Sequence, residues 1–103
     1  MSRFSEIIVR LSATLASRKG GDPSASWTAK LLADPKLAAK KLSEEAMETA
    51  LATTPDETAA ESADLIYHWL VLLEARGVSL DEVAARLEAR EGTSGIAEKA
   101  ERK

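Results

Sequence analysis

A chain of 103 residues, 45% hydrophobic and 30% charged, has room for one modest core and excludes a large multidomain protein. A net charge of −3 and a pI near 5.2 exclude nucleic-acid binding by bulk charge, and the absence of cysteine excludes disulfides and thiolate metal sites. No run reaches the roughly 20 apolar residues of a membrane span. The N-terminus, MSRFSEIIVRL, lacks a signal-peptide core and cleavage site, so the expectation is a cytoplasmic protein with no membrane or nucleic-acid partner.

The elements read as helices separated by breakers, with Ala, Leu, Glu, Lys and Arg dominant and no strand-like alternation. Phe4, Ile7, Ile8, Leu11 and Leu15 at helical spacing predict a first helix from about Phe4 to Ala16. The stretch SRKGGDPSAS ends it in a loop. Ser26 caps a short helix, WTAKLLA. Asp34-Pro35 starts the next, which runs to about Ala52. Thr54-Pro55, with Asp56 and Glu57 in the first turn, starts the longest helix, to about Arg76, where Gly77 stops it. Ser79 and Glu82 form a capping box for a helix from Leu80 to about Glu91. The tail from about residue 92, GTSGIAEKAERK, reads either as a loop with a frayed helix or as a segment that orders on ligand. The predicted fold is all-α: one domain over 1–103, a bundle of four to five helices completed by oligomerisation.

Two adjacent helices carry five carboxylates. Glu44, Glu45 and Glu48 fall within an arc of about 100°, and Glu61 and Asp64 lie about 60° apart on theirs. If the short TTPD link folds the helices back antiparallel, the two sets meet at one level. A charge run is ordinarily a solvated face. Here Leu65 and Leu72 continue the acidic face, and the stretch from Leu65 to Leu73 is apolar almost all round. Neither set has an opposite charge at i+4; the basic residues lie elsewhere. Clustered carboxylates in a partly buried groove call for a counter-ion, and oxygen ligands suit Mg²⁺ or Mn²⁺ completed by substrate phosphates.

His68, one turn after Asp64, reads as a core or interface histidine before a ligand or base, and Tyr67 and Trp69 read as packing residues. Trp27, near the loop, stays open. Phosphate-binding candidates are Arg18 and Lys19 before the Gly-Gly loop, Lys30 in the short helix, and Lys40 and Lys41 before the acidic run.

Glu44-Glu45-x-x-Glu48 followed by Glu61-x-x-Asp64 resembles the EExxE…ExxD signature of the all-α nucleoside triphosphate pyrophosphohydrolases, the MazG-like superfamily. LASRKGGDPSASWTAKLLA, KLSEEAMETALA, ESADLIYHWLVLL and SGIAEKAERK are similar to successive blocks of its phosphoribosyl-ATP pyrophosphohydrolase family. Ser43 departs from the glycine common there; a serine fits a helix. The resemblance implies an all-α homodimer or homotetramer that hydrolyses the α–β bond of phosphoribosyl-ATP, a step of histidine biosynthesis. It makes Glu44, Glu45, Glu48, Glu61 and Asp64 the catalytic and Mg²⁺ set (Mn²⁺ as substitute). Within that set Glu45, Glu48, Glu61 and Asp64 are the metal group, with Glu45, Glu48 and Asp64 favoured as direct ligands and Glu44 or Glu61 orienting water. Arg18, Lys19 and Lys30 become substrate-phosphate candidates, with Lys41 and Lys99 behind them. Some relatives carry a fused cyclohydrolase domain with Cys and His ligands; this chain reads as the stand-alone form. The competing readings are a housecleaning pyrophosphatase for free nucleotides and a non-catalytic helical dimerisation module.

Overall fold

The computed structural model describes residues 2–92, which form five helices and no strand: α1 (Arg3–Arg18), α2 (Trp27–Ala33), α3 (Pro35–Leu51), α4 (Pro55–Arg76) and α5 (Leu80–Arg90). Lys99 and the rest of the predicted tail segment beyond Gly92 lie outside the described residues.

Every helix starts where a short polar side chain caps it. Ser2, Ser26, Asp34, Thr54 and Ser79 accept from the amides of Ser5, Ala29, Leu37, Glu57 and Glu82, meeting donors that a first turn leaves orphaned. Glu82 returns a bond to the Ser79 amide at 2.7 Å, closing the predicted capping box. Gly77 ends α4 in the left-handed region (φ 68°), and Val78 N donates back to Leu73 O at 2.9 Å. The first helix is longer at both ends than its apolar spacing predicts. Ser2 caps it one residue earlier, and no breaker intervenes until Gly20.

α3 and α4, joined by three residues, pack most extensively against each other. The core sits between this hairpin, α1 and α2. It consists of Leu15 from α1, Ala29, Leu31 and Leu32 from α2, Ala38 from α3, and Leu70 and Val71 from α4. Ile66, Tyr67, Trp69 and Leu72 pack around it, which accounts for the apolar belt of α4. α2 is only seven residues long, yet four of them are buried: Thr28, Ala29, Leu31 and Leu32. Packing rather than propensity holds so short a helix. α5 buries none of its residues fully.

Large apolar side chains remain at the surface: Phe4 and Val9 on α1, Met47 and Leu51 on α3, Leu87 on α5. No helix among the described residues is long and apolar enough to cross a membrane.

Candidate active site

The α3–α4 hairpin brings the two acidic sets together. One carboxylate oxygen from each of Glu45, Glu61 and Asp64 lies within 4.8 Å of the others. Glu45 and Glu61 are half-buried and Asp64 is exposed at the rim. Glu45 Oε2 and Glu61 Oε2 are covered from solvent and have no hydrogen-bond partner. Covered oxygens of this kind are costly unless a proton or a cation satisfies them.

Electrostatics says the same. Burial pushes the Glu45 carboxyl above the usual range, and the Glu48 carboxylate beside it pushes further, with Asp64 adding and nearby His68 opposing. Glu61 is raised by burial first, then by Glu48, Glu45 and Asp64. Glu48 itself is exposed, with its carboxylate turned to both. The group therefore takes up positive charge readily. Carboxylate oxygens alone make a hard donor set, which fits Mg²⁺ or Mn²⁺ and not a thiolate-seeking metal.

Glu44 stands apart. Its Oε2 lies 3.3 Å from Lys41 Nζ, one turn earlier on α3. The acidic run is thus not free of nearby cations, as the i+4 pattern implied; the pairing is i, i+3, which helical spacing equally allows. Lys41 is engaged there.

The other basic candidates lie at the end of α1 (Arg18, Lys19), in α2 (Lys30) and on α3 one turn before Glu44 (Lys40). Lys19 Nζ donates to Glu74 O at 3.0 Å, placing a cation on the carbonyl end of α4, where the helix dipole favours one. Arg18 lines a hollow of about 380 Å³ with Gly21, Asp22, Ala25, Ser26 and Ala29. A side chain at Gly21 would meet Arg18 O at 3.1 Å, so the loop turns tightly over that helix end. Asp22 is held by the amide and hydroxyl of Ser24, at 2.9 and 2.7 Å. Lys30 lies 5.6 Å from the ring centre of half-exposed Trp27, and Lys40 is exposed. His68 Nδ1 lies 2.8 Å from Asp64 O. A carbonyl only accepts, so Nδ1 carries the proton and a neutral ring keeps the Nε2 lone pair free.

A family model described as phosphoribosyl-ATP pyrophosphohydrolase matches residues 8–91. The chain belongs to this family. Curated relatives extend the match over nearly the whole length. The phosphoribosyl-ATP pyrophosphatase of Caulobacter vibrioides strain NA1000 is 66% identical over 103 residues, covering 97% of this chain and 96% of its own. That of Caulobacter sp. strain K31 is 64% identical, covering 99% and 98%. That of Cereibacter sphaeroides strain KD131 is 56% identical, covering 93% and 97%.

Two residues that sequence reading passed over stand close to the family's acidic helices. Thr28, buried in α2, shares a 2.7 Å hydrogen bond with the Tyr67 hydroxyl of α4. Thr49 hydrogen-bonds backbone carbonyls on both sides of the hairpin. A faint signal existed for each: a β-branched hydroxyl inside a run of strong helix formers is a poor local choice, which points to a tertiary role.

Proposed function

We propose that this chain hydrolyses phosphoribosyl-ATP at the α–β bond, with one water consumed and phosphoribosyl-AMP and pyrophosphate released, in histidine biosynthesis. Its near full-length identity to enzymes bearing that name supports the reading, and so does family membership. The observation that carries the chemistry is the pair of covered, unpartnered oxygens on Glu45 and Glu61, grouped with Asp64. A helical module that only dimerised would have no use for such a pair.

Glu45, Glu61 and Asp64 hold Mg²⁺ or Mn²⁺ in this reading, with Glu48 completing the set. When bound, the ion offsets the charge that builds on the departing pyrophosphate oxygens. In this reading Glu48, exposed beside the half-buried Glu45 and Glu61, also orients the attacking water and takes its proton. Glu44 fixes Lys41 beside the acidic face. Arg18 and Lys30 bind substrate phosphates. Lys19, next to Arg18, contributes by tying the end of α1 to the end of α4. The exposed Met47 and Leu51 lie one turn apart on α3 next to Glu48, and with Phe4, Val9 and Leu87 they supply the apolar surface of a homodimer or homotetramer. The chain works as one domain in the cytoplasm.

The test is pyrophosphate release by purified protein with Mg²⁺, with phosphoribosyl-ATP compared against ordinary and damaged nucleoside triphosphates. Strong preference for phosphoribosyl-ATP is the expected result. Preference for a free triphosphate would reassign the pocket while keeping the metal group; no turnover of any substrate would overturn the enzymatic reading.

A further inference from the structure

One hydroxyl ties the hairpin at the level of the acidic group. Thr49 Oγ1 lies 2.7 Å from Glu45 O and 3.1 Å from Glu61 O. A threonine hydroxyl has one proton, so the two carbonyls share it in a three-centred bond. The Glu45 bond is the ordinary return of a helical threonine to the carbonyl one turn back. The Glu61 bond is not local: it crosses from α3 to α4. Its two acceptors belong to the very residues whose Oε2 atoms are covered and unpartnered.

We propose that Thr49 is a positioning residue for the acidic site, its hydroxyl fixing the spacing and register of α3 against α4 so that Glu45 and Glu61 face a common ion. The proposal rests on the reading of Glu45, Glu61 and Asp64 as the metal group. Three physical points support it. A threonine oxygen sits two bonds from the main chain, so it can bridge only where the two backbones approach closely. Slipping α3 along α4 by one residue moves it about 1.5 Å and turns it about 100°, while metal ligands tolerate only about 0.2 Å. The crowded carboxylates also repel across this interface, so a tie here opposes the separation they favour.

The test compares Thr49→Val, which keeps the shape and removes the hydroxyl, with Thr49→Ser, which keeps the hydroxyl. Thr49→Ala against Thr49→Ser repeats the comparison without the methyl group. Binding of Mn²⁺ alone is measured by calorimetry on the full chain without substrate. The Val and Ala proteins are expected to bind about 10-fold more weakly than wild type, the scale of an outer-shell loss, with Ser restoring most of the affinity. Wild-type affinity in the Val protein, or an equal loss in Ser and Val, overturns the proposal. If wild type binds no Mn²⁺, the metal reading fails separately. A crystal structure of metal-free Thr49→Val then decides: unchanged α3–α4 spacing overturns the positioning role, and a widened hairpin at Glu45 and Glu61 supports it.

Discussion

Tyr67→Phe removes a single oxygen, yet it strands the hydroxyl of Thr28, a residue 8% exposed and bonded to Tyr67 at 2.7 Å. A buried hydroxyl left without a partner costs about 1–3 kcal/mol. Thr28→Val strands the Tyr67 hydroxyl instead; that ring is only half-buried, so water replaces part of the bond and the cost falls to about 1 kcal/mol. Removing both hydroxyls leaves nothing unsatisfied, so the double variant should lie close to wild type, with a coupling of about 0.5–3 kcal/mol. For a chain this size each kcal/mol moves Tm by about 4–8 °C. Thermal melts of all four proteins at one protein concentration measure the cycle. The same variants test function: Lys30 and Trp27 ride on α2, and Glu61 and Asp64 ride on α4. Tyr67→Phe should therefore raise KM for phosphoribosyl-ATP more than it lowers kcat. Additive melting shifts, or a Tyr67→Phe protein that melts with wild type, would refute the claim that this bond joins α2 to the hairpin.

Glu48→Gln and Asp64→Asn should each abolish turnover while circular dichroism stays helical; unfolding of either would undercut the site assignment. Glu45 and Glu61 titrate above the ordinary carboxylate range, so the metal-free fold binds protons more readily than the unfolded chain. Their contribution is therefore fully favourable below the unfolded carboxylate value of about 4.3 and is lost as pH rises through the raised values. Melts in EDTA should show wild type gaining stability on acidification relative to Glu45→Gln/Glu61→Gln; parallel curves would contradict the crowding. With Mn²⁺ present the trend should reverse, because protons compete for the same oxygens. Lys19→Ala should lower Tm by removing the cation at the end of α4, whereas Lys30→Ala should act on KM; the opposite pattern would exchange their roles.

The parts of this molecule legible from residue order are those set within one turn of chain. Capping side chains and prolines marked four helix starts, and Gly77 marked a stop, because each acts on its own neighbours. The pairing of the acidic sets was legible because a three-residue link leaves the helices little choice but to fold back. Burial of α2 was not: seven residues are too few for a periodic stripe, and Thr28 is polar. The roles of Thr28 and Thr49 depend on what stands opposite them across a helix pair, which spacing along one helix does not encode. The contact of Lys19 with Glu74 O was not legible either: the two residues lie 55 positions apart.

With Lys30 as the proposed phosphate ligand, the depth of α2 in the core bears on how substrate preference can change. Lys30 and Trp27 project from a helix whose Ala29, Leu31 and Leu32 are among the most buried residues of the chain. Side chains mounted on so constrained a support can be exchanged only at exposed positions, since a shift of the helix itself would open the core. New preferences would arise first in the 19–26 loop, where exposed backbone tolerates insertion and replacement, and the helix beneath would change last.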